Sequence, residues 1–134
     1  VGAHISFKKA GTNHWGITSP EHGEDFGSAY FSAFTARAQE HHYGISWHDC
    51  VVWITPNGEP MVGPRDGDAG PEEWYQPDWA LCVERARELL QKATEATDAH
   101  RREYDLSRLP AFVEAIERCA RPECAAECWV AFSY

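Results

Sequence analysis

The chain has 134 residues, of which 43% are hydrophobic and 25% charged, and its formal net charge is −9. This length and composition predict one globular domain spanning residues 1–134, with a core that needs no metal or disulfide to fold. Acids outnumber bases by 21 to 12, which disfavours direct nucleic-acid binding. The apolar runs are far shorter than the ~20 residues that a membrane-spanning helix needs, so no membrane association is expected.

The cysteines help to define the expected cellular compartment. They number five, at Cys50, Cys82, Cys119, Cys124 and Cys128. An odd number argues against the fully paired framework of a small secreted protein, and thiols stay reduced inside cells. We therefore expect free thiols and a cytoplasmic protein.

At the start of the chain, a short strand is predicted over residues 2–9. Ile5 and Phe7 are two residues apart there and share one face. Residues 11–25 follow, and their Gly, Asn, Ser and Pro content is typical of a loop. The first strand is thus expected to lead into an irregular connection.

An amphipathic helix is predicted next, over residues 28–41. Its apolar positions are Phe31, Phe34 and Ala38, which recur at helical spacing. Gly44 is expected to end this helix, because glycine is the residue most often found just past a helix C-terminus.

The middle of the chain carries the clearest hairpin signal. Residues 45–54 are rich in β-branched and aromatic side chains and are interpreted as a strand. Asn57 and Gly58 then favour a tight turn, and Pro60 indicates that the returning strand is short and at an edge. Residues 63–78 form a Gly/Pro-rich acidic connection, a length at which loops are often functional.

The last third of the chain is predicted to be mainly helical. One helix is expected over residues 78–102, with Asp78 as its N-cap. A second is expected over 108–120, where Pro110 in the first turn costs little. Residues 129–134 read as a final strand. The apolar stripe of the longer helix consists of Trp79, Cys82, Val83, Ala86, Leu90 and Ala93.

These elements predict an α+β fold, an antiparallel sheet of three to five strands packed against two or three helices. The expected chain order is strand, helix, hairpin, helix, helix, strand. The two later helices can form a helical hairpin that covers one face of the sheet.

The segment 41–50, HHYGISWHDC, raises the question of metal or catalytic chemistry. On a strand, His48 and Cys50 would face the same way and could reach one zinc ion, with Cys124 and Cys128 at helical spacing as further ligands. His48 and Cys50 could also form a nucleophilic pair. The sequence contains no C-x2-C pair, the spacing typical of zinc sites. We therefore interpret the segment as a helix end and the start of a buried strand, and we expect no cofactor. Zinc is the cofactor expected under the alternative interpretation.

A second candidate site combines carboxylates with aromatic rings, a composition typical of protein interfaces. It predicts contact with a protein partner that has a basic surface. The residues proposed for this contact are Asp66, Asp68, Glu72, Glu73, Trp74 and Tyr75.

Three classes of function remain open from the residues alone. The favoured hypothesis is a small acidic protein-binding module that inhibits or neutralises its partner by electrostatic and steric occlusion, as immunity proteins, antitoxins and phage inhibitors do. The second is a metal-binding or Cys/His enzyme domain centred on His48 and Cys50. The third is a structural subunit of a larger assembly. The first hypothesis predicts that the protein is not an enzyme.

Overall fold

The computed structural model describes residues 2–63 and 74–133. These residues form two sheets and four α-helices, which is an α+β fold as predicted. The elements in chain order are β1 Gly2–Thr12, β2 Thr18–Ser32, α1 Ala33–Tyr43, a 3-10 helix Trp47–Cys50, β3 Val52–Ile54, β4 Pro60–Val62, α2 Trp79–Thr94, α3 Ala99–Leu106, α4 Leu109–Cys119 and β5 Cys128–Ser133.

The main sheet has three antiparallel strands in the order β2-β1-β5, so the first strand of the chain lies at its centre. Hydrophobic side chains alternate along β1, which places Ala3, Ile5 and Phe7 on the buried face. The strands β3 and β4 form a separate two-stranded sheet. The sequence predicts a sheet of three to five strands, and the main sheet has three.

The predicted loop over residues 11–25 is wrong, because most of it belongs to the long strand β2. The chain turns back at Asn13, whose side-chain oxygen accepts hydrogen bonds from the backbone N–H groups of Trp15 and Ile17 at 2.9 and 3.0 Å. The first half of β2 is mostly exposed and polar. Its pairing with β1 is interrupted by two register shifts. A strand of this kind lacks the alternation of apolar residues that identifies strands in a sequence.

The first helix begins later than predicted and buries a different face. Ser32 caps it by accepting a hydrogen bond from a backbone N–H group. Phe31 belongs to β2, and Phe34 is 76% exposed. Gly44 ends the helix as predicted, with φ of 73°. The residues of α1 that the fold buries are Thr35, Gln39 and Tyr43.

The predicted strand over residues 45–54 is correct only in its last third. A capping box between Ser46 and Asp49, with Asp49 Oδ2 accepting from Ser46 N at 3.0 Å, starts a 3-10 helix instead. The hairpin that follows is confirmed: Gly58 has φ of 84°, and the returning strand beginning at Pro60 has three residues.

The long helix predicted over residues 78–102 is divided into α2 and α3. Asp78 caps α2 as predicted, and Asp98 caps α3 by accepting from Arg101 N at 3.0 Å. Leu89, rather than Leu90, lies on the buried stripe. The last helix and the last strand are confirmed to within about two residues.

The core lies between one face of the main sheet and the helices. The helix α4 packs on β1 and β2, and α2 packs on α4. Phe112 is at the centre of this contact, with ring centroids 6.0 Å from Phe7 and 5.1 Å from Phe31. Within the two described ranges, no helix is long and apolar enough to cross a membrane.

Candidate functional site

The main sheet has an open face opposite α4, which we call the outer face. Strand alternation turns His4, Ser6 and Lys8 of β1 towards it. Their partners in β5 are Ser133, Ala131 and Trp129, respectively, and Ser28 and Tyr30 of β2 lie opposite Ser6 and His4. His4, Ser28 and Tyr30 are exposed, with Tyr30 at 56%.

A groove of about 390 Å³ runs along this outer face. Small side chains form part of its lining, so another molecule can approach the sheet closely. Larger polar and aromatic groups complete that lining. The residues that line the groove are His4, Ser6, Lys8, Glu21, Trp74, Ala131 and Ser133.

Trp74 is held in this groove by backbone pairing with β5. The next residue, Tyr75, bridges Val130 through hydrogen bonds of 3.0 and 2.8 Å between their backbones. Trp74 is half-buried, and Lys8 Nζ lies 5.8 Å from its ring centroid. This cation–π contact orients the indole beside the lysine while part of the ring remains accessible.

Tyr75, the other aromatic residue of the predicted contact, lies in the core. Its side chain is 3% exposed, and its hydroxyl donates a hydrogen bond to the carbonyl of Gly63. A ring in this position serves packing and cannot reach a partner without local unfolding. Trp74 therefore stays a candidate contact residue, and Tyr75 does not.

The acidic part of the predicted contact, Asp66, Asp68, Glu72 and Glu73, lies outside the described residues. Among the described residues, β2 carries exposed carboxylates that the sequence interpretation assigned to a loop. These are Glu21, Glu24 and Asp25, and Glu21 lines the groove. These carboxylates are visible in the sequence as the acidic segment SPEHGED. The position of Glu21 beside the groove becomes clear only when β2 is paired with β1.

The premise of the zinc alternative, that His48 and Cys50 share a strand face, is wrong because both lie in the 3-10 helix. His48 contacts Trp47 edge-on, with ring centroids 5.6 Å apart. Cys50 is fully buried and its thiol donates to the carbonyl of Ser46 at 3.4 Å. Burial raises the pKa of the Cys50 thiol well above its usual value, which opposes the thiolate that metals and nucleophilic chemistry need.

Cys124 and Cys128 are close enough to Cys119 that both help to raise the pKa of its thiol, after burial, which is the main cause. Burial raises the pKa of the Cys128 thiol to about 11. All five cysteines are free. In the part of the chain that the structure describes, no three His, Cys, Asp or Glu side chains are arranged to hold a metal ion.

Comparisons with protein-family models, with curated proteins and with solved structures found no match to this chain.

Proposed function

We propose that the chain is a small acidic protein-binding module that neutralises a partner with a basic surface by covering that surface. The observation that carries this proposal is the groove on the outer face, which places Trp74 and Glu21 in one accessible lining. The acidic segment 66–73 leads directly into Trp74 in the sequence.

The groove has the composition expected of an interface centre. Tryptophan and tyrosine are enriched among the residues that contribute most to binding, because they bury large areas with few rotatable bonds. Trp74 supplies such a ring in the groove, and Tyr30 supplies another on the outer face, opposite His4. Ser6 and Ala131 leave room for a partner chain between larger groups.

The charge supports the same proposal. A net charge of −9 produces a negative field that steers a basic partner towards the protein and disfavours acidic competitors. Steering of this kind raises the association rate and weakens as salt screens the charges. The metal-binding and Cys/His enzyme alternatives need a thiolate, and burial raises the pKa of the Cys50 thiol, which opposes its formation.

The test is a capture experiment from an extract of the native host, at about 50 mM and about 500 mM salt, between which the screening length falls severalfold. Wild-type bait is compared with Trp74→Ala and with a variant in which the four acids of segment 66–73 become amides. A matched control changes four other exposed glutamates to glutamine, three on helices and one in the turn after α4: Glu84, Glu103, Glu114 and Glu123.

We expect one basic protein to be captured at low salt by the wild type and by the control, and to be lost at high salt. Trp74→Ala and the amide variant should each weaken its binding about tenfold or more, which isothermal titration with the purified partner measures. Equal binding by all four baits, or a partner that is acidic, would contradict the proposal. Self-association of the purified chain in light scattering would instead favour the structural-subunit class.

A further inference from the structure

A second cavity lies on the helical side of the molecule, between the end of α1 and α3. Its volume is about 550 Å³, within the range of small-molecule sites. The lining includes His42, His100, Tyr104 and Arg108, none of which lines the groove on the outer face. This cleft is therefore independent of the protein-binding proposal.

Two guanidinium groups in the cleft are positioned by one aromatic ring. Arg101 and Arg108 lie 4.5 and 4.1 Å, respectively, from the ring centroid of Tyr104. The ring is itself fixed, because the Tyr104 hydroxyl hydrogen-bonds to the hydroxyl of Thr35 at 3.0 Å. Stacking on a fixed ring reduces the entropy that an arginine loses when it binds a ligand.

The two arginines differ in how their charge is balanced. Arg101 forms a two-point ion pair with the buried carboxylate of Asp105, at 2.8 and 2.9 Å. Arg108 has no carboxylate partner in the described ranges, and its Nη1 donates to the hydroxyl of Ser107 at 2.9 Å. Arg108 is thus an exposed, oriented cation whose charge remains available.

Other charged and titratable groups complete the cleft. The imidazoles of His42 and His100 add donors, and Asp98 and Glu103 add carboxylates. The Asp98 carboxylate accepts a hydrogen bond from Arg101 N, so it is already engaged at the start of α3.

We propose that this cleft binds the phosphate monoester group of a small soluble molecule, with Arg108 as the principal contact. Arginine matches phosphate oxygens through two parallel N–H donors. The donors available in the cleft, the Arg108 guanidinium and the two imidazoles, suit an anion with three acceptor oxygens better than a carboxylate with two. The volume leaves space for the rest of the molecule beyond the phosphate.

The test uses phenyl phosphate as the probe and isothermal titration as the measurement. We expect Arg108→Ala to weaken binding about tenfold, since a charge-assisted pair is lost, and Arg108→Lys to weaken it less. Arg37→Ala is the matched control, because Arg37 is also exposed, lies 5.3 Å from the ring centroid of Phe34, and has no carboxylate partner in the described chain. It should leave the affinity unchanged within about twofold.

Several results would overturn this assignment. They are no binding of phenyl phosphate up to about 10 mM, an equal affinity for Arg108→Ala and wild type, or benzoate binding as tightly as phenyl phosphate. Circular dichroism of each variant verifies that the fold is intact. Binding only to vesicles that contain phosphatidic acid, and not to the soluble probe, would assign the cleft to a lipid headgroup and also reject the proposal.

Discussion

Asp105 shows how a single buried charge organises the helical side of the fold. Its side chain is 1% exposed and its two oxygens accept four hydrogen bonds. The donors are Gln39 and Tyr43 of α1 and the guanidinium of Arg101 in α3. Gln39 also accepts from the backbone N–H of Trp47 at 2.8 Å. This network explains why α1 buries polar residues where an apolar stripe is expected.

We predict that Asp105→Asn lowers the free energy of unfolding by about 3 kcal/mol, measured by urea denaturation. An amide of the same size would place an NH₂ group against donors and leave the mostly buried Arg101 without its counter-charge. The control is Glu103→Gln, which neutralises an exposed carboxylate on the same helix and should change stability by less than about 0.5 kcal/mol. A loss similar to that of the control would mean that the network contributes little.

At the scale of elements, β2 and α4 approach closely at a glycine. Gly27 has φ of 139°, a region that side chains rarely adopt, and a β-carbon there would lie 2.9 Å from Ala115 Cβ. It also lies next to one of the register shifts between β2 and β1. The contact of the sheet with the helix that covers it therefore depends on the absence of a side chain at this position.

Gly27→Ala is expected to destabilise the protein by about 2 kcal/mol more than Gly16→Ala does. Both glycines have positive φ, but a β-carbon at Gly16 would meet no atom within 4 Å. The difference between the two variants therefore contains the clash with Ala115 and the less favourable φ of Gly27, and thermal unfolding followed by circular dichroism measures it. Equal losses for the two variants would show that α4 shifts freely to make room.

The two later helices illustrate why element boundaries escape sequence patterns. The apolar stripe ends at Ala93, and the sequence prediction continues the same helix to residue 102. The chain nevertheless ends α2 at Thr94 and restarts at Asp98, where the N-cap hydrogen bond replaces the helical one. The break lets Asp105 reach the network with α1, a contact between residues more than sixty positions apart.

At the scale of the whole molecule, the buried thiols couple stability to alkaline pH. Burial raises the pKa values of Cys50, Cys82, Cys119 and Cys128, with Cys82 at about 12. A thiol in the unfolded chain ionises near pH 8.5. Between these values the unfolded chain has lost its protons and the folded protein retains them, so the stability present below pH 8.5 falls as pH rises.

We therefore expect the free energy of unfolding to decrease from about pH 9 to about pH 11, with several thiols contributing. In Cys82→Ser, which keeps a similar shape but cannot form a thiolate, the slope should be shallower by on the order of 1 kcal/mol per pH unit. Guanidinium denaturation at a series of pH values gives both slopes. If the free energy of unfolding depends on pH in the same way in wild type and Cys82→Ser, Cys82 has the same pKa in the folded and unfolded states, which contradicts the prediction.

The sequence by itself determined the α+β class, the first strand, the hairpin at Asn57 and Gly58, and the caps at Asp78 and Gly44. Each of these depends on local chemistry, namely alternation, a positive φ or a cap hydrogen bond, which a short window of residues contains. Trp74 is a candidate contact residue for the same reason, because the composition around it is local.

Only the tertiary structure decided where long-range pairing overrides local pattern. The first half of β2 is mostly exposed and polar, and it forms a strand because β1 supplies its hydrogen-bond partners. Tyr75 is buried because β5 pairs with its backbone, and α1 buries Gln39 because Asp105 is available to it. The groove on the outer face and the cleft between α1 and α3 also combine residues that are distant in sequence, so neither can be recognised from a short segment.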